Sequence, residues 1–244
     1  MSDVRQPRDK QRPLSVAIRN DILQKAKDNA YIGGKLPSEE ELCAYYNVSR
    51  ATIREALTIL HREGFISKRH GTGNFLNYSA INATMRFDLE IVLPQILEQA
   101  GHKVFTKRGP VQMLNGTDDL RSFIKETNTA SPLLEQVTKH IVNDVAAIIT
   151  YNYFTYHNNV QPCDTCADFM DMVSAVTGKT LSHTIQAFIP MIVPAEIADV
   201  FGLGEIPVVM WHQKHYSLDD DLVCESYVFF NPSVVLLHSL TRWM

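Results

Sequence analysis

The stretch from Leu36 to Gly73 constrains this chain more than any other. Ser38 is followed three residues later by Glu41, the spacing of a capping box, so a helix starts there and runs to about Tyr46. Asn47-Val48 makes a tight turn and Ser49 caps the next helix. In that helix Ile53, Ala56, Leu57 and Leu60 form the buried side, and Gly64 ends it. Before this pair, Leu14, Ile18, Ile22, Leu23 and Ala26 give one apolar face to a helix over about 14–27, ended by Gly33-Gly34. After it, Phe65–Arg69 and Asn74–Leu76 flank a glycine-bearing tip, which predicts a hairpin. Helix, helix, tight turn, helix and hairpin within residues 14–76 is the pattern of a winged helix-turn-helix.

That pattern has a chemistry. Arg50 and Arg54 sit four apart and share one face of the third helix, beside Thr52 and the capping Ser49. From a helix N-terminus a guanidinium forks onto guanine O6 and N7 or clamps a phosphate, and the free N–H groups favour an anion. Lys68, Arg69 and His70 cluster beside Gly71-Thr72-Gly73, where glycines let a hairpin tip come close to a sugar–phosphate backbone. Charge agrees. Residues 1–76 carry a net +4 and residues 77–244 a net −8, inside a total of −4. The bland alternative for both clusters is a solvated basic surface.

Residues 1–13 are polar and end at Pro13, which reads as a disordered arm, and 77–87 reads as a linker. From Asp88 to the end at 244 the chain alternates helices and strands. A helix around Ile91–Ala100 precedes a strand at Val104–Leu114, a short helix at Thr117–Lys125, and strands at Leu133–Val142 and Ala146–Tyr156. The cycle then restarts: a helix at Ala167–Val176, a strand at Leu181–Ile192, a helix at Pro194–Phe201, and strands at Val208–Ser217 and Leu222–Phe230. Residues repeat along with order. Lys139-His140 answers Lys214-His215, and Tyr151–Phe154 answers Tyr227–Phe230. An internal duplication of a helix–β–helix–β–β unit would build one antiparallel sheet, so the fold class is α+β in two domains.

Other chemistries find little support. Gly-x-Ser-x-Gly, the P-loop and His-Glu-x-x-His are all missing. Cys163-x-x-Cys166 lacks a second pair, with His157 only a loose candidate ligand, so no metal or cofactor is expected. Asp219-Asp220-Asp221 falls between two predicted strands and reads as a solvated turn. The N-terminus has no apolar h-region and no apolar run is long enough to span a bilayer, so a cytoplasmic location without membrane contact is expected.

Leu36-Pro-Ser-Glu-Glu-Glu-Leu42, Val48–Leu57, Leu60-His-Arg-Glu-Gly64 and Arg69-His-Gly-Thr-Gly73 together resemble the GntR family of bacterial transcription regulators over roughly residues 13–76. Residues 88–244 are similar, by length, element order and duplication, to the UTRA effector-binding domain of the HutC subfamily, which has a chorismate-lyase-like fold. The resemblance implies that Arg50, Thr52 and Arg54 touch the operator from the recognition helix, and His70 and Gly71 from the wing. Where the family usually has an arginine after Ser38-Glu39, this chain has Glu40, which removes a phosphate contact and adds a repulsive charge. Lys35 is the candidate substitute. An Arg-x-Arg pair that grips anionic ligands in many relatives is replaced here by Thr138 and His140, so any positive charge would come from Lys107 or Arg108.

The motifs and the resemblance together imply a DNA-binding regulator, a repressor by family precedent, that binds double-stranded DNA at an inverted repeat as a homodimer. A small-molecule effector is expected to control it from the C-terminal domain. DNA-binding candidates are Lys35, Ser38, Ser49, Arg50, Thr52, Arg54, Lys68, Arg69, His70, Gly71, Thr72 and Gly73. Effector candidates are Thr106, Arg108, His140, Tyr151, Glu225 and Tyr227, expected in one pocket on the sheet face where the repeats meet. The rival is an enzyme with a lyase-type C-terminal domain and an accessory winged helix; no acid, base and anion clamp for it can be named, so no catalytic residue is assigned.

Overall fold

A computed structural model describes residues 13–89, 92–113, 133–155 and 168–241. The chain divides into two compact units: residues 1–91 together with 237–244, and residues 92–236.

In the first unit, α1 (Leu14–Lys27), α2 (Glu39–Tyr46) and α3 (Arg50–Arg62) precede a hairpin of β1 (Ile66–Arg69) and β2 (Gly73–Leu76). The capping box forms as expected: the Ser38 hydroxyl accepts from the Glu41 N–H at 3.2 Å, and the Glu41 carboxylate accepts from the Ser38 N–H at 2.7 Å. Asn47 ends α2 in the left-handed region, and Ser49 Oγ accepts from the Thr52 N–H to start α3. Between these two caps the chain turns sharply, so Ile53, Ala56, Leu57 and Leu60 meet Ile18, Ile22 and Ala26 of α1 in one core. That core fixes the direction in which Arg50 and Arg54 project.

The segment 77–87, expected as a linker, instead carries α4 (Tyr78–Asn82). Ala80 and Ile81 enter the same core as α1 and α3. Beyond it Arg86 is buried, paired with Asp88 and lying over the Phe65 ring at 4.9 Å. The end of the chain joins this unit too. His238 exchanges backbone hydrogen bonds with Met85 and Phe87, and Leu240 packs against Gly64. Gly64 has φ +78°, and a Cβ there would stand 2.7 Å from Leu240. A five-residue helix is little more than one turn, too short to show a period, which is why the sequence concealed it.

The second unit is built on a seven-stranded antiparallel sheet. Its strands are β3 (Phe105–Arg108), β4 (Gln112–Met113), β5 (Leu133–Val142), β6 (Val145–Thr155), β7 (Leu181–Ile192), β8 (Pro207–Ser217) and β9 (Leu222–Phe230). The order β3-β5-β6-β9-β8-β7 reads as the same triplet from each end, with β6 and β9 paired at the centre and β4 beside β5. This is the arrangement that a duplication predicts. The strand expected over 104–114 is broken in two at Gly109-Pro110, because Pro110 has no N–H for the ladder. Among the described residues, helices α5 (Leu93–Gln99), α6 (Phe169–Thr177) and α7 (Ala195–Phe201) accompany the sheet. Ile197, Ala198 and Phe201 of α7 pack on the sheet face carrying Tyr151 and Tyr227. Met172, Val173 and Val176 of α6 pack with Leu134, Phe154 and Cys224 on the opposite face. The predicted helix 117–125, His157, and Cys163-x-x-Cys166 lie outside the described residues.

The duplication extends to irregularities. A bulge falls between His140 and Ile141 and another between His215 and Tyr216. Each histidine is 5% exposed and bonds a threonine through Nδ1: His140 to Thr106 at 2.9 Å, His215 to Thr184 at 2.8 Å.

Candidate nucleic-acid interface and effector face

A cleft of about 530 Å³ lies between α3 and the hairpin, lined by Arg54, Leu57 and Thr58 on one side and by Lys68, Arg69, His70 and Gly71 on the other. The two clusters singled out in the sequence therefore share one surface. Arg50 and Arg54 are about two-thirds exposed. Gly71 (φ +70°) and Gly73 (φ +114°) hold the tip in a conformation that side chains disfavour. The Thr72 hydroxyl donates to the His70 carbonyl within that tip. Arg69 lies over the Phe75 ring at 4.1 Å, which stiffens the wing. Lys35 bridges to Phe75 at the base of the hairpin, and its side chain passes close to Gly73.

Ser38 and Ser49 are occupied as caps, and the Ser49 and Thr52 hydroxyls lie 2.9 Å apart. Thr58 was missed in the sequence. It sits four residues after Arg54, a spacing that puts both on one side of the helix.

The acidic first turn of α2 reaches these arginines. Arg54 Nε donates to Glu39 Oε2 at 2.8 Å, and Arg50 stands 4.0 Å from Glu40. A phosphate must compete with these carboxylates. An exposed pair of this kind is worth about 0.2–1 kcal/mol. Glu40→Gln should therefore tighten DNA binding up to about fivefold at low salt, with the gain fading as salt rises. Fluorescence anisotropy on one duplex across a salt series measures it; equal or weaker binding at low salt would show that Glu40 does not restrain Arg50.

The six effector candidates do not share one face. Thr106 pairs with His140 and Arg108 with Thr138, and His140 stands opposite Ile148. Tyr151 pairs with Tyr227, and Glu225 with Tyr153. Residues directly opposite on paired strands point the same way, so Thr106, Arg108 and His140 lie on one face and Tyr151, Glu225 and Tyr227 on the other. The physical reason is the bulge after His140. An unbroken hairpin register would set His140 opposite Ala147, on the side of Tyr151; the extra residue flips it.

Each face has its own chemistry. On the His140 face a buried neutral network crosses the sheet. The Thr184 hydroxyl bonds His215, His215 Nε2 bonds Ser226 Oγ at 2.9 Å, and Ser226 donates to Asn152 Oδ1 at 2.6 Å. Asn152 and Thr138 then both donate to Gln136 Oε1 at 2.9 Å. Burial, aided by Arg108, lowers His140 to about 4; burial, aided by His212, lowers His215 to about 4. Both rings are neutral at pH 7. On the other face Glu225 Oε2 bonds His212 Nε2 at 2.6 Å and accepts from the Tyr227 hydroxyl at 3.4 Å, while His212 stacks on Tyr227. Glu225 thus has the partner that a buried carboxylate requires. Burial, together with Glu196 and Glu135, raises Tyr151 to about 12.

Comparison with known proteins follows this division. Residues 14–76 match the family described as bacterial regulatory proteins, gntR family. The HTH-type transcriptional regulator YurK of Bacillus subtilis (strain 168) is 40% identical over 65 residues, 26% of this chain and 27% of that protein. The chain thus aligns with only about a quarter of the length of this curated relative. The crystal structure of YydK from Bacillus subtilis subsp. subtilis str. 168, described as a possible transcriptional regulator, superposes with a TM-score of 0.62 at 16% identity, covering 93% of this chain and 99% of that one. The effector domain of PhnF from Mycobacterium smegmatis superposes with a TM-score of 0.50 at 12% identity, covering 65% of this chain and 99% of that one. Residues 14–76 therefore match the gntR family model and fold as a winged helix-turn-helix, and the α+β unit that follows shares its fold with the C-terminal part of YydK and with the PhnF domain.

Proposed function

We propose that this chain is a transcription regulator of the HutC type, a repressor that binds an inverted-repeat operator as a homodimer and releases it when a small molecule occupies the C-terminal unit. One observation carries the reading: Arg54 on the recognition helix and Lys68, Arg69 and His70 on the wing line a single cleft within the segment that matches the gntR family. Arg50, Thr52 and Arg54 contact the major groove, and Lys35 and Lys68–Gly73 contact the backbone or the minor groove. Ser38 and Ser49 contribute through the helix ends they cap.

The effector candidates act as two groups. Thr106, Arg108 and His140 offer a cation beside neutral hydrogen-bonding groups, which suits a hydroxyl-rich ligand of low negative charge. Tyr151, Glu225 and Tyr227 shape the opposite face, where Glu225 is already engaged. An effector controls the operator only through differential affinity for two states of the dimer.

Selection from a pool of random duplexes with the full chain tests this. Enrichment of a near-palindrome with half-sites about 10–10.5 bp apart, or a multiple of that, is expected. Enrichment of no shared sequence, or of an unsymmetrical one, contradicts it.

A further inference from the structure

Glu63-Gly64-Phe65 joins α3 to β1, so these residues set the angle between the recognition helix and the wing. The end of the chain docks on this joint. Residues 237–241 follow the whole C-terminal unit in sequence, yet they fold with the first unit. Leu240 fills the space that a Cβ on Gly64 would need. His238 ties the dock: its N–H donates to the Met85 carbonyl at 3.1 Å, its carbonyl accepts from the Phe87 N–H at 3.0 Å, and its Nδ1 donates to the Thr84 carbonyl at 2.7 Å. Between those residues Arg86 donates to both carboxylate oxygens of Asp88, which also accepts from the Leu240 backbone. The Arg86 guanidinium in turn lies over the Phe65 ring. The chain end thus grips Gly64 directly and Phe65 through Arg86. That grip is conditional. Arg86 Nη1 is buried with no hydrogen-bond partner among the described residues, and an unsatisfied buried donor costs free energy that the packing around it must offset.

The other end of the same segment is anchored in the second unit. Asn231, the residue after β9, is buried. Its N–H donates to the Ala147 carbonyl at 2.9 Å, and its side-chain amide donates to the carbonyls of Ala146 on β6 at 3.1 Å and of Phe201 on α7 at 3.4 Å. Residues 232–237 alone lie between Asn231 and His238, and they begin with a turn in which the N–H groups of Val234 and Val235 bond back to the Asn231 carbonyl. A chain spans at most about 3.3–3.6 Å per residue, so a tether this short, part of it folded into a turn, has little slack. We infer that residues 237–240 are a brace that holds the wing against the recognition helix, and that the C-terminal unit controls the operator through it. This rests on the regulator reading above and names the positioning residues through which that unit acts: Asn231 at one end, and His238, Leu240 and Arg86 at the other. Docked, the brace keeps Arg54 and Lys68–His70 lining one cleft. An effector that shifts α7 on its sheet face draws Asn231 with it and releases the brace, so the wing swings free and affinity falls.

Hydrogen exchange of the full chain, read by mass spectrometry, and affinity for a selected duplex, read by fluorescence anisotropy, test this together. Leu240→Asp sets a carboxylate against Gly64 and should release the brace. Leu240→Met keeps the packing, and Ser239→Asp adds the same charge at an exposed neighbour, so both should behave as the parent does. In Leu240→Asp, amides of residues 64–76 should exchange about tenfold faster while those of 53–60 in α3 stay protected, and the operator should bind about tenfold more weakly. Parent-like wing exchange and affinity in Leu240→Asp would overturn the brace, and so would an equal loss in Ser239→Asp, which would trace the effect to charge. Should Leu240→Asp unfold the first unit, the parent decides alone. Coupling is reciprocal, so adding operator should slow exchange at 85–88 and 237–241 about fivefold; unchanged exchange there overturns the assignment. A parent that selects a site but is indifferent to the brace overturns this inference only. A parent that selects no shared sequence overturns the regulator reading and the brace with it.

Discussion

Replacing Arg50 or Arg54 by alanine should cost about 1–3 kcal/mol of specific operator affinity each, roughly a fivefold to 150-fold loss. Both guanidiniums project from the first turns of the recognition helix, and neither is tied into the core. Two readouts separate their roles. A residue that reads a base loses discrimination at one position of the site, with little change in salt dependence. A phosphate clamp weakens all sequences alike and lowers the salt slope by about one ion. Arg54 must first leave Glu39, which holds it at 2.8 Å, so its measured cost is a net of the DNA contact over that pair. Titrations of parent and variants against one selected duplex at equal salt give the answer. Parent-like binding by both variants would remove the recognition helix from the interface.

The second large effect is on stability in acid. His140 and His215 are buried and hydrogen-bonded as neutral rings, with folded values lowered from the ordinary 6.5 to about 4. The unfolded chain therefore takes up protons first as pH falls. Each histidine stabilises the fold fully above about pH 6.5, and that contribution drains away between about 6.5 and 4. At pH 5 the loss is about 2 kcal/mol per ring, approaching about 3 kcal/mol below pH 4. Urea unfolding of the full chain at pH 7.5 and pH 5, followed by circular dichroism, should show the transition of the C-terminal unit moving to lower denaturant. His140→Gln and His215→Gln should each be less stable at pH 7.5 and less sensitive to acid. A transition unchanged between the two pH values would mean that these rings are not held neutral by burial.

The parts of this chain that were legible from sequence are those governed by local chemistry. Ser38 with Glu41, Ser49 before Arg50, and glycines around the wing tip each act within a few residues, so the winged helix could be read directly. The duplication was legible because it repeats residues, His140 with His215 and Tyr151 with Tyr227, and the palindromic strand order follows from it. What escaped depends on single-residue or distant events. The bulge after His140 inverts the face of everything before it in β5, and no composition signal marks Ala147 as the extra residue. The burial of Arg86 required Asp88, Phe65 and the returning chain end at His238, partners separated by up to 173 residues in sequence. Glu39 and Glu40 read as helix-start carboxylates, and they are; their second role, facing Arg54 and Arg50, appears only when α2 is packed against α3.

A hydroxyl-radical footprint of the full chain on a selected operator tests the central claim most directly. If two recognition helices enter successive major grooves, each flanked by its wing, protection should fall in two blocks related by a dyad, about 10–10.5 bp or a multiple apart. Arg50→Ala/Arg54→Ala should lose both blocks together at the same protein concentration. A single unsymmetrical block, or protection that the double variant retains, would contradict the account.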